Sequence, residues 1–178
     1  MPDTDRKPLG GQAVRRPAGS SVIGPYDSTF AELLTDSYQR LLGEPMLPGG
    51  DPAGGDATGG DAARWLYDAA PFGLLAHDAS TDPLFVYANR TAQQRFEYTW
   101  DEFVGMPSRL SARPAGRDER RRLMDGVLLR GYASDCRGER TARSGRRFWI
   151  EDTTIWNLLD REGVLHGQAA LIRGWTDA

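Results

Sequence analysis

The order of apolar and polar positions divides the chain into stretches of different period. From 28 to 42, Phe30, Leu33, Leu34, Tyr38, Leu41 and Leu42 recur three or four apart and predict an amphipathic helix. Thr29 and Glu32 have the form of a capping box at its start, and Gly43 and Pro45 end it. Such a helix needs a surface to cover, either its own domain or a second copy of the chain. A shorter helix follows Asp61, carrying Ala62, Trp65, Leu66 and Ala69, and Pro71 marks its end.

Periodicity then changes. Residues 72–77 and 84–87 are short apolar runs separated by the turn-forming segment 78–82, the pattern of two strands. Asn89 ends the second and can cap a helix running to Phe96, with Ala92 and Phe96 on its buried side. Thr99 before Trp100, Asp101 and Glu102 is a second capping pattern, for a helix that stops at Gly105. After an irregular connector, residues 115–130 predict a longer helix with Leu123, Met124, Val127 and Leu128 as its buried stripe and Gly131 as its stop. Three long strands complete the pattern, 132–142, 146–158 and 164–175, joined at Ser144-Gly145 and at 160–163. The order β-β-α-α-α-β-β-β predicts an α+β fold, a five-stranded antiparallel sheet with helices on one face, plus the N-terminal helix. Alternation along the second long strand puts Trp156 on the face of Phe148, Ile150 and Thr154, with Asn157 turned away and Gln168 on the neighbouring strand.

Composition explains what lies between. Mean hydropathy is −0.54, low for a packed protein, because the 21 Gly and 11 Pro concentrate outside the core stretches. Residues 1–25 predict a disordered tail, mildly basic through Arg6, Lys7, Arg15 and Arg16. Residues 26–47 hold the first helix, 48–60 a Gly/Asp-rich flexible linker, and 61–178 the main domain. The linker is not a phosphate loop: no Gly-Lys-Ser/Thr follows, and Asp51, Asp56 and Asp61 repel phosphate. A net charge of −3 implies no general attraction to nucleic acid or membrane. The single Cys136 excludes an internal disulfide and fits a reducing compartment. With no apolar run long enough for a membrane span or a signal peptide, a cytoplasmic location is expected.

The segment Tyr87-Ala88-Asn89-Arg90-Thr91-Ala92, followed by Phe96-Glu97-Tyr98-Thr99 and Asp101-Glu102-Phe103-Val104-Gly105, resembles PAS domains, which turn from sheet to short helices this way. The resemblance narrows with Pro107-Ser108-Arg109-Leu110-Ser111-Ala112, Gly145-Arg146-Arg147-Phe148, Ile155-Trp156-Asn157-Leu158 and His166-Gly167-Gln168-Ala169-Ala170. These are similar to the MEKHLA family, a PAS-related module of bacterial stand-alone proteins that also closes plant homeodomain–leucine-zipper factors. The resemblance runs from about Phe30 to Trp175, the linker excluded. It implies a small sensory or regulatory module, with some preference for a homodimer formed through the N-terminal helix. Neither homeodomain nor zipper is present, so DNA binding does not carry over.

Candidate chemistry is sparse. In light-oxygen-voltage domains, which are PAS domains, a cysteine forms the flavin adduct; the matching position is Ser108, so that adduct is excluded. Arg109 matches the phosphate-contacting arginine, but Arg130, Arg140 and Ile172 stand where the amides that read the flavin edge belong, which argues against conventional flavin. His77 and His166 are badly placed as haem ligands, and with Cys136 they lack zinc spacing. Arg137 beside Cys136 is a feature that lowers a thiol pKa. Arg113, Arg117, Arg120, Arg121 and Arg122 form a basic cluster balanced by Asp118, Glu119 and Asp125, read as a solvated face. No nucleophile has a base at readable spacing, which points away from an enzyme. The expected function is therefore a PAS-like module that binds a small ligand or a protein partner and signals by dimer or partner contacts. The alternative is a small enzyme or flavin-like cofactor protein using the same cleft. The candidate lining residues are Asn89, Phe96, Phe103, Ser108, Arg109, Trp156 and Gln168.

Overall fold

The computed structural model describes residues 23–46 and 59–178. The expected tail, up to residue 22, and most of the expected linker lie outside these. Helix α1 spans Ser28–Leu42 and α2 Gly59–Asp68; strands β1 (Gly73–Asp78) and β2 (Phe85–Ala88) precede α3 (Arg90–Phe96) and α4 (Trp100–Phe103). Two 3-10 turns, Ser108–Ser111 and Pro114–Gly116, lead to α5 (Arg117–Arg130), and β3 (Tyr132–Thr141), β4 (Arg147–Leu159) and β5 (Leu165–Asp177) follow. The five strands form one sheet in the order β2-β1-β5-β4-β3, antiparallel throughout.

Local chemistry sets the boundaries. Asn89 caps α3, its side chain accepting from the Ala92 amide. Thr99 and Glu102 form the expected capping box of α4. Gly131 ends α5 at φ 98°, a conformation costly for any residue with a Cβ. At the start of α1 the cap is Asp27, which accepts from the Phe30 amide, rather than Thr29. Asp27 wins because it stands directly before the first helical residue.

The sheet is covered on both sides. Helices α3, α4 and α5 lie over one face. Helices α1 and α2 lie over the other, where Phe30, Leu34, Tyr38, Leu66 and Tyr67 pack with Leu74, Tyr87, Trp156, Leu158 and Leu171. The apolar stripe of α1 is therefore spent largely on its own sheet. On the α3–α4 side a second cluster joins Leu75, Phe85, Phe96, Phe103, Phe148, Ile150 and Ile172.

Trp156 corrects the alternation argument, since it belongs to the α1 cluster and Phe148 and Ile150 to the opposite one. The cause is Asp152, whose φ of 44° interrupts the extended backbone and shifts every later side chain of β4 to the other face. Strand β5 changes face beside it, so that Ile172 and Trp175, three apart, lie on the same side. Helix α5 also departs from expectation. Of its predicted stripe only Val127 is buried; Leu123 and Met124 are partly buried, and Leu128, one residue (about 100°) round the helix from Val127, is half exposed.

Candidate functional site

The space between α5 and the sheet is where polar side chains collect that form no ion pair with any described residue. An inner cavity of about 40 Å³ lies among Leu75, His77, Phe85, Arg120, Arg140, Ile150, Ile155, Gln168 and Ile172. It shares His77, Arg120, Met124 and Gln168 with a groove of about 640 Å³ that runs past the turn after β1, Ser108, Arg109 and the start of α5. On the other side of α5 a second groove, about 560 Å³, shares Arg120 and Arg140 with the cavity. The first groove and the cavity are large enough together for a small organic molecule.

Each of these side chains is delivered by a local feature. Arg140 is on β3 and is 8% exposed, and Nη1 donates to the Glu139 carbonyl at 2.9 Å. Gly138 makes room for it: a Cβ there would sit 2.7 Å from Nη1. Arg120 lies one turn before Leu123 and Met124 on the inner side of α5, and no described residue hydrogen-bonds its guanidinium. Burial pushes the Arg140 pKa down to about 9, and the positive charge of Arg120 adds to the effect. Burial brings Arg120 to about 10. His77, at the end of β1, is 8% exposed, with Nδ1 at 2.9 Å from the Asp78 carbonyl. Burial, and then the charge of Arg120, lower its pKa, while the Asp78 carbonyl opposes them; the imidazole is neutral at pH 7. Gly167 lets β5 pass close beneath: a Cβ there would collide with the His77 carbonyl oxygen.

Of the seven lining candidates, three come together along the groove: Ser108, Arg109 and Gln168. The Ser108 hydroxyl is buried and has no hydrogen-bond partner among the described residues. Arg109 sits on the rim, paired with Asp82 at 3.1 and 3.2 Å. Gln168 donates to the Met124 carbonyl and to Asn157 Oδ1, and Asn157 donates to the Val127 and Leu128 carbonyls. These two amides tie α5 to the sheet, which leaves Gln168 Oε1 for the cavity.

The other four stand elsewhere. Asn89 is fully buried between α2, β1 and α3, with all four of its side-chain hydrogen-bonding positions filled by backbone. Phe96 and Phe103 are fully buried against each other, ring centroids 5.5 Å apart, and Phe96 packs on Phe148 at 5.0 Å. Trp156 lies under α1, its indole N–H donating to Ser37 Oγ at 3.0 Å.

His77, Arg120 and Arg140 are the residues that the lining set lacked. Arg120 carried a readable signal, since it continues the stripe of Leu123, Met124 and Val127 one turn earlier. Arg140 carried one only through the resemblance, standing where an amide that reads the flavin edge belongs; bulges near Cys136 and Asp135 (φ 54°) break the alternation of β3 that would have placed it by period. The rest of the basic cluster is surface: Arg113 approaches Glu139 at 3.7 Å, and Arg121 pairs with Asp118. At Cys136 the thiol pKa is raised, by burial first and then by Asp135, against the effect expected of a neighbouring arginine.

A conventional flavin does not fit these residues. The space under α3 and α4 is filled by Phe96, Phe103 and Phe148, and the inner cavity is faced by two guanidiniums and an imidazole with Gln168 as its one neutral amide. Among the described residues, no three of His, Cys, Asp and Glu gather as a metal site, and no helix is long and apolar enough to cross a membrane.

Comparison with known proteins agrees with the architecture. The MEKHLA domain family model matches residues 28–177. A crystal structure of a PAS domain from Colwellia psychrerythraea superposes with a TM-score of 0.56 at 13% identity, over 66% of this chain and 94% of that one. An RNA-binding light-oxygen-voltage receptor superposes with a TM-score of 0.58 at 18% identity, over 74% of this chain and 37% of that longer one. At these identities the likeness is one of fold. None of the curated proteins is significantly similar in sequence.

Proposed function

The chain belongs to the MEKHLA domain family, and from that premise we propose that it is a cytoplasmic, non-catalytic sensory module that binds a small molecule between α5 and the sheet. The observation that carries the reading is the convergence of Arg120, Arg140 and the Ser108 hydroxyl, polar groups without side-chain partners among the described residues, on connected space beneath one helix. A folded chain keeps such groups at a cost in stability unless something else satisfies them. Helix α5 is the element a ligand would move. It is held to the sheet chiefly through Val127 and the Asn157–Gln168 amides at its C-terminal end, while its first turns border the groove.

Signal output through a second copy or another protein is part of the proposal. Leu128, Leu129 and Tyr132 are exposed, Leu129 at 87%, where α5 runs into β3, and Val164 is exposed at the β4–β5 turn. Movement of α5 would change this patch directly. The ligand half of the reading is tested by native mass spectrometry of the freshly purified protein, with an absorbance spectrum. A stoichiometric small-molecule adduct, released on denaturation and with no visible absorption, is the expected result. A protein of bare sequence mass from several expression hosts would overturn it.

A further inference from the structure

Resting on that reading, we infer that the ligand is a monocarboxylic acid with an apolar body, its carboxylate held between Arg120 and Arg140 in the inner cavity and its body lying in the adjoining groove.

Charge comes first. Arg140, on β3, is more than nine-tenths buried and lines the cavity, and Arg120 lines it from α5. Neither forms an ion pair with any described residue. Glu139 is engaged by Arg113 and Arg147, and Glu119, which lines the second groove with both arginines, attracts Arg140 without forming an ion pair. His77, the third charged or titratable group of the cavity, is neutral at pH 7 and brings no negative charge. Arg140, buried, and Arg120, partly buried, repel each other and lose hydration when no anion lies between them. One anion between them removes both penalties.

Shape selects among anions. By the measure in which one water needs roughly 10–15 Å³, a cavity of about 40 Å³ admits a group of only a few atoms. A guanidinium fork matches a planar carboxylate in two parallel hydrogen bonds. Apart from Ser111 and Gln168 the other walls are apolar, chiefly Leu75, Phe85, Ile150, Ile155 and Ile172, which suit a single delocalised charge better than a doubly charged phosphate. The cavity and the groove share Arg120, Met124 and Gln168, so an acid head inside continues into a space of about 640 Å³. The apolar borders of that space include Pro83, Met124, Leu128 and Leu165, and its other borders are mostly polar, Asp78, Asp82, Asp118 and Asp125 among them. Gln168 Oε1 and the Ser108 hydroxyl are left for polar substituents on that body.

The test is thermal unfolding and calorimetric titration of the full chain with benzoate, phenylacetate and octanoate, each beside its primary amide, and with inorganic phosphate. At least one acid is expected to raise Tm by several degrees at about 100-fold excess over its Kd, with its amide and phosphate without effect. Arg120→Met and Arg140→Met are expected to weaken that acid at least tenfold. In the ligand-free state Arg140→Met should melt higher than the native chain, since it removes an unpaired buried charge, so lost binding cannot be confused with lost fold. An amide as effective as its acid, a response to phosphate alone, no response to any acid, or full acid binding by Arg140→Met would each overturn the inference. A neutral metabolite in the native mass spectrum would overturn this assignment and leave the ligand-binding reading standing; a bare chain would remove both.

Discussion

Replacing Asn89 by alanine should destabilise the protein by about 3–5 kcal/mol, measured as a fall in the urea midpoint at unchanged slope. Asn89 is fully buried, and its carboxamide does four things at once. Oδ1 accepts from the Leu74 and Ala92 amides, and Nδ2 donates to the Leu66 and Phe72 carbonyls. It therefore joins the end of α2, the start of β1 and the start of α3 at one point. Each buried backbone group left without a partner costs about 1–3 kcal/mol, and partial entry of water holds the total below the simple sum. Asn89→Asp is the sharper form of the test. It preserves size and both accepted bonds but turns two donors into acceptors facing carbonyls, so it should be no better than alanine at pH 7. A loss under about 1 kcal/mol for both would show that the network is not closed.

Trp156→Ala is expected to cost about 3–5 kcal/mol, the range for emptying a fully buried aromatic site. Its second effect is local. Trp156 stacks edge-on with Tyr38, centroids 5.1 Å apart, and bonds Ser37, so it is the largest contact holding α1 to the sheet. Limited trypsin digestion should cut at Arg40 in the variant much earlier than in the native chain. Trp156→Phe should lose only about 1 kcal/mol, since Ser37 keeps its own bond to the Leu33 carbonyl. Equal protection of Arg40 in the alanine variant would mean that α1 docks through other residues.

The arrangement of elements was legible because each was marked twice, by period and by punctuation. Thr99 with Glu102, Asn89 before Ala92, and glycines 131, 145 and 163 all stand where the backbone needs them. The face of Trp156 was not legible. A strand's alternation can be followed only while its backbone stays extended, and Asp152 breaks it at mid-strand. Glu151-Asp152, two acids inside an apolar strand, is the one trace of that break in the sequence. The same difficulty at Asp135 kept the period of β3 from placing Arg140, which only the family resemblance pointed to. Asn89, Phe96 and Phe103 were conspicuous for a different reason: they form the structural joint that launches α3 and α4, and a joint of this kind carries a fold's signature.

The measurement that bears most directly on the whole account is a two-dimensional nitrogen–proton spectrum of the isotope-labelled protein, recorded with and without a small-molecule extract of its expression host. The Nε–Hε signals of Arg120 and Arg140, the Gln168 amide and the backbone of Ser108 should shift together, while the Trp156 indole and the backbone of Ser37 and Tyr38 stay still. Shifts confined to the α1 face, or none beside the two arginines, would contradict it.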